Sequence, residues 1–158
     1  MTIKMNKKTP FLILIIFFLT FYNVMPMESK INIISDKLNI DMDQRKSTFT
    51  GNVYAQNAKL KVWSERMIIK LKLNKDEIKE IVASGNVKII RIIDGSEMYG
   101  DAANYSLEEE VVIITGNVKV KEKGNEISGN KLVVDLENSS SIMSGSDTNR
   151  VEALILSN

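Results

Sequence analysis

The sequence predicts an all-β protein, a twisted two-sheet antiparallel β-sandwich built from repeated strand pairs. Three observations carry that prediction. Through most of the chain apolar residues recur at every second position, the period of a half-buried strand and not of a helix. The tripeptide Gly-Asn-Val occurs three times inside such stretches, in "TFTGNVYAQ", "VASGNVKII" and "IITGNVKVK". A second motif alternates with it: a small residue, then Asp, Glu or Asn, then alternating apolar positions, in "SDKLNID", "SERMIIKL", "GDAANYSL" and "GNKLVVDL".

The first 29 residues stand apart. Lys4, Lys7 and Lys8 precede "FLILIIFFLTF" (Phe11 to Phe21), a run shorter than the roughly 20 apolar residues that span a bilayer as a helix. This is the layout of a secretory signal, which assigns residues 1–29 to export and residues 30–158 to one folded domain. The exit, "YNVMPMESK", has no Ala-x-Ala for a signal peptidase. The same segment therefore also fits an uncleaved anchor that tethers the domain to the inner membrane.

Residues 30–158 number 129 (158 − 29), enough for a single core. "KINIIS" opens the domain with an apolar, β-prone strand. Then "SDKLNID" places Leu38, Ile40 and Met42 on one face, and the first Gly-Asn-Val stretch places Phe49, Val53 and Ala55 inward. Met67, Ile69 and Leu71 continue the pattern. "NKDEIKEIV" offers a helical spacing at Ile78, Ile81 and Val82, but it runs into the second Gly-Asn-Val, so its latter half is expected as strand. Tyr105 and Leu107, then Val112, Ile114, Val118 and Val120, then Leu132 and Val134 complete the inward set, and "VEALILS" closes the chain with a last strand.

A glycine inside a long strand has no side chain to pack and permits a bulge or bend, and Asn beside it tolerates unusual dihedrals. Gly51, Gly85 and Gly116 are therefore expected as structural corners, where a strand leaves one sheet and enters a facing one. They stand 34 and 31 residues apart, and Gly145 in "MSGSDTN" extends the series to a fourth unit.

Composition removes most chemistry. With no His and no Cys, there is no Ser-His-Asp or Cys-His set, no ordinary zinc site and no disulfide. The domain has 18 Lys plus Arg (21 − 3) against 19 Asp plus Glu (20 − 1), a formal charge near −1 that gives no pull on nucleic acid. Asp41 and Asp43 are expected on an outward face without a pocket, and Glu108 to Glu110 in a solvated turn. No catalytic residue, cofactor or metal is predicted, and the chain is not read as an enzyme. Alternating lysines (Lys59 and Lys61, Lys70 and Lys72, Lys119 and Lys121) read as solvated strand faces. Periodicity leaves two readings of the interior, a filled core and a gap wide enough for lipid.

The stretches "INIISDKLNIDM", "TFTGNVYAQ", "VVIITGNVKVK" and "ISGNKLVVDL", in that order, resemble the periplasmic lipopolysaccharide-transport proteins of the LptA family, with their OstA-like domain. The resemblance spans Ile31 to Leu156. It implies an open β-jellyroll with a hydrophobic groove, end-to-end stacking into a head-to-tail homo-oligomer, and passage of lipopolysaccharide between inner-membrane and outer-membrane components of the export machinery. Carried over residue by residue, it assigns lipid contacts to Ile31, Ile33, Met42, Ile69, Tyr105 and Leu107. The inward positions Phe49, Met67, Leu132 and Val134 join them as candidates. Residues 73–97 match the family least, and no contact is assigned there. The alternatives are a membrane-anchored LptC-like component of the same pathway and a structural β-repeat that polymerises without carrying lipid.

Overall fold

The computed structural model describes residues 30–138 and 140–156; the expected export segment, residues 1–29, lies outside them. Ten strands follow in chain order: β1 (Asn32–Ile34), β2 (Lys37–Asp41), β3 (Lys46–Gln56), β4 (Leu60–Leu71), β5 (Ile78–Arg91), β6 (Glu97–Ser106), β7 (Val111–Glu122), β8 (Asn125–Asp135), β9 (Ser140–Ser144) and β10 (Glu152–Leu154). All pairings are antiparallel, and hydrogen bonding is continuous from β1 through β3, β4, β5, β6, β7 and β8 to β10. β2 also pairs with β3 and β9 with β8, so β1 and β2 share one edge of the sheet while β9 and β10 share the other.

The sequence leads to two facing sheets; the structure reaches the same layering with a single sheet folded across its middle. β3 to β8 run 10 to 14 residues, about twice the usual strand length, and each is interrupted near its centre. The ladders shift register between Thr50 and Val53, Ser84 and Val87, and Thr115 and Val118, which are the three Gly-Asn pairs. Both members of each pair are left-handed: Gly51 at φ 81° with Asn52 at 46°, Gly85 at 79° with Asn86 at 47°, and Gly116 at 75° with Asn117 at 48°.

The neighbouring strand explains why the pair is Gly then Asn. A Cβ on Gly51, Gly85 or Gly116 would come within 3.0 Å of the side chain of Asp36, Glu65 or Asp101 respectively. Each acidic side chain lies across the bare glycine and accepts a hydrogen bond from the following Asn amide: Asn52 to Asp36 (2.8 Å), Asn86 to Glu65 (2.6 Å) and Asn117 to Asp101 (3.0 Å). The two alternating sequence motifs are thus the two halves of one corner.

The expected fourth unit does not form this corner. Gly145 is not left-handed, Ser146 stands where Asn would be, and Asn130 replaces the carboxylate. The chain instead leaves the sheet through a turn in which Ser146 N–H donates to the Asn149 carbonyl at 2.7 Å, and it returns as β10. "NKDEIKEIV" resolves as the sequence suggests, with β5 starting at Ile78.

Side chains opposite one another build continuous apolar rows on the inner face. One half of the folded sheet carries Leu38, Phe49, Met67, Ala83, Ala103, Ile114, Leu132 and Met143 in register. The other carries Ile33, Ala55, Val62, Ile89, Met98, Val120, Ile127 and Ala153. Buried members of both rows belong to one core cluster with Val53, Val87, Val112, Val118 and Val134, so the two halves pack face to face. Each fully buried side chain of this size contributes about 1.5–3 kcal/mol relative to exposure.

Candidate functional site

Between the two halves the fold leaves a slot made of several small spaces that share lining residues such as Leu60, Tyr105, Arg91 and Val134. Its most apolar part is a cavity of about 60 Å³ where Ile31, Ala55, Leu60, Val62 and Ile89 face Met67, Ile81, Ala83, Ala103, Tyr105 and Val112. That volume is far below the several hundred Å³ of a site holding an organic ligand. An occupant of lipid size therefore parts the two halves as it enters. On the side away from the corners the space widens to about 330 Å³ beside Leu60, Arg91, Tyr105, Val134 and Leu136, and to about 180 Å³ beside Met98, Val120, Leu132 and Met143.

The candidate residues divide into groups. Ile31, Met67 and Tyr105 line the tight cavity, and Ile33 packs against the core beside it. Met67 (2% exposed), Leu132 (5%), Ile69 (9%) and Val134 (9%) are core members, with Phe49 half-buried in the row of Met67 and Leu132. Ile69, Tyr105 and Val134 share the next row. Leu107 is half-buried just past β6, its N–H donating to the Lys79 carbonyl at 3.2 Å. Met42 departs from the inward reading: it lies in the turn after β2 and is 80% exposed, because the strand and its alternation end at Asp41.

Sequence reasoning missed Met98 and Met143, and also Leu60, Val62 and Arg91. Leu60 and Val62 flank Lys61, and the lysine that suggests a solvated face is on the outer side of the same strand. Arg91 follows Val87 and Ile89 at the inward parity, a position where a charged residue reads as a solvated strand end.

Charge is absent from the lining of the tight cavity and gathers on the wider side, at Lys59, Arg91, Glu122 and Asp135. Burial, with a smaller push from the Glu110 charge, lifts the Tyr105 phenol above its ordinary value. Arg91 forms an ion pair with Asp94 in the β5–β6 turn. The Arg91 guanidinium first, and then the Ser96 N–H, hold the Asp94 carboxyl well below the usual carboxylate range. The alternating lysines lie outside, where Lys119 pairs with Glu126 at 2.7 Å and Lys70 with Glu80 at 2.8 Å. Among the described residues no group of acidic side chains is arranged to hold a metal ion.

The inner face also reaches both edges uncovered. Leu38 and Ile40 on β2 are inward by register yet 50% and 58% exposed. At the opposite edge Ala153 faces inward and is exposed, and the chain runs on through Leu154, Ile155 and Leu156, each more than 60% exposed. The inner face therefore ends in apolar, unpaired strand edges on both sides.

A model of the LptA/(LptD N-terminal domain) LPS transport protein family matches residues 32–140, more than half of the chain. The chain belongs to that family. The LptA-like resemblance of the motifs is thereby borne out. Among curated relatives, the lipopolysaccharide export system protein LptA of Haemophilus influenzae is 24% identical over 131 residues, covering 80% of this chain and 76% of the relative. An uncharacterized protein of Rickettsia prowazekii, RP507, is 28% identical over 111 residues, covering 69% and 77%. Among solved structures, LptH of Pseudomonas aeruginosa, the LptA homologous periplasmic component of the lipopolysaccharide transport device, superimposes with a TM-score of 0.74 at 19% identity. The match covers 82% of this chain and 97% of that one. The all-β open jellyroll is thus the family fold.

Proposed function

We propose that this chain binds lipopolysaccharide with its acyl chains between the two halves of the sheet and passes it along a line of like-folded domains from the inner to the outer membrane. The observation that carries the reading is the apolar cavity between the two halves, lined by Ile31, Met67 and Tyr105, in a member of the lipopolysaccharide-transport family. Burying acyl chains yields about 0.8 kcal/mol per methylene, so a slot lined by aliphatic side chains, Met67 and Tyr105 needs no cofactor and no catalytic group. Sliding suits such a lining, because apolar contact is non-directional and one position along the slot is nearly equivalent to the next.

The same reading places the domain in the periplasm, with inner-membrane and outer-membrane transport components as its partners. Head-to-tail pairing of β1 and β2 of one copy with β9 and β10 of the next satisfies both edges and joins the slots of successive copies. The reading is non-catalytic, with the driving force supplied from outside the chain.

The test places a photo-crosslinking amino acid at Tyr105, which points into the slot, and separately at Asn104. The Asn104 amide faces outward and donates to Glu80 at 2.6 Å. Lipopolysaccharide adducts in cells at Tyr105 and not at Asn104 are the expected outcome. Equal adducts at both positions, or none at either in well-expressed folded protein, overturn the proposal.

A further inference from the structure

Alternation along β5 sets Arg91 at the parity of the buried Val87 and Ile89, at the strand end, with its side chain 38% exposed. The arm borders both wider spaces of the slot, the one of about 330 Å³ shared with Tyr105 and the one of about 180 Å³ shared with Leu132. It also borders the narrow cleft beside Met98 and Val112. Arg91 therefore stands where these spaces of mixed polar and apolar lining meet, at the side of the slot away from the corners.

Its hydrogen bonding is incomplete. Asp94 engages Nη2, and the Asp94 carboxylate is itself held by the Ser96 N–H at 3.0 Å. Nε is buried with no partner. A carboxylate or phosphate that faced the guanidinium squarely would take Nε and Nη2 together as a fork. Asp94, reaching back from the turn, uses one prong and leaves the other. Glu122 on β7 is a second negative group near Arg91, raising the affinity of the guanidinium for its proton, and it lines the same space of about 180 Å³. Glu122 lies 3.8 Å from Lys123, and Lys59 lines the mouth on the other side.

We propose that Arg91 reads the headgroup of the cargo, exchanging the Asp94 carboxylate for a phosphate of an anionic amphiphile whose chains occupy the slot. The proposal rests on the lipid-carrying function above and deepens it. Two phosphate oxygens satisfy Nε and Nη2 at once, which Asp94 does not. Asp94 and Glu122 have the complementary effect: their charges repel a free phosphate ion, so that only a phosphate brought in by buried chains remains at Arg91. Asp94 also keeps the guanidinium paired while the slot is empty.

The experiment uses the protein expressed from its full sequence. Displacement of a fluorescent naphthylamine probe from the slot is measured with bis-phosphorylated lipid A, with its dephosphorylated form, and with inorganic phosphate alone. The expected result is a preference of about tenfold or more for the phosphorylated lipid, the scale of one charge-assisted hydrogen bond. Inorganic phosphate is expected to displace nothing. Arg91→Gln should bind both lipids alike with probe binding retained, Arg91→Lys should recover only part of the preference, and Asp94→Asn should strengthen it. Retention of the full preference in Arg91→Gln overturns the assignment of Arg91. Competition by inorganic phosphate at the same concentrations as the lipid overturns the headgroup source in favour of a free-anion site. Failure of the unaltered protein to bind either lipid overturns the carrier function, and with it this inference.

Discussion

The corner offers the most direct quantitative test, through Gly116→Ala. Gly116 is held at φ 75°, where a side chain costs about 1–2 kcal/mol. A new Cβ there would also fall within 3.0 Å of the Asp101 carboxylate, displacing it from the Asn117 amide that it accepts at 3.0 Å. An exposed hydrogen bond of this kind is worth about 0.5–1.5 kcal/mol. The sum is about 1.5–3.5 kcal/mol, or about 5–17 °C in melting temperature for a domain of this size. Gly95→Ala separates the two contributions: Gly95 has φ 70° but no atom within 4 Å of the added Cβ, so it carries the dihedral cost alone. Thermal melts followed by circular dichroism, with urea unfolding for the free energies, should place Gly116→Ala below Gly95→Ala by about 1 kcal/mol or more. If the two agree to within about 0.5 kcal/mol, the seating of the carboxylate on the glycine contributes nothing and the account of the corner is wrong.

Two further expectations concern the outer face and the edge. Lys70 first, and then the Asn104 amide, lower the Glu80 carboxyl below 4.5 against an opposing effect of burial. Its stabilising contribution is therefore present above that value and lost as pH falls through the lowered one. Glu80→Gln should cost less than about 1 kcal/mol at about pH 7, with the gap closing as acidification passes the lowered value, and a gap in urea midpoints that does not shrink with acid refutes the assignment. Removing residues 150–158 deletes β10 and should convert concentration-dependent association in sedimentation velocity to a single monomer boundary; unchanged association would place the joint elsewhere.

Much of this was legible because a strand announces itself locally. Phe49, Val53 and Ala55, or Val112, Ile114 and Val118, state which face is inward without reference to any partner. The Gly-Asn pairs likewise mark where a ladder breaks, since left-handed dihedrals are a local demand. What was illegible depends on contacts between distant residues. Nothing in "SDKLNID" says that Asp36 lies across Gly51, because the two meet only when neighbouring strands take their register. Met42 was misread because alternation continues past the last residue that pairs. Arg91 was passed over for the opposite reason: its parity was correct, but charge at a strand end is ordinarily solvated. The width of the slot was beyond reach altogether, since alternation gives the same pattern for a filled interior and for one that opens.

From β3 to β8 the order of strands in space is their order in the chain. Each neighbouring pair of strands is thus a self-contained increment, held by its own hairpin turn and its own share of the inner rows. Neighbouring strands lie about 4.8 Å apart, so one added hairpin lengthens the interior by about 10 Å. The strands at either rim are unaffected by such a change. Duplication or loss of a hairpin therefore acts as a ruler, setting how far one molecule reaches in steps of fixed size while the joints between molecules stay the same.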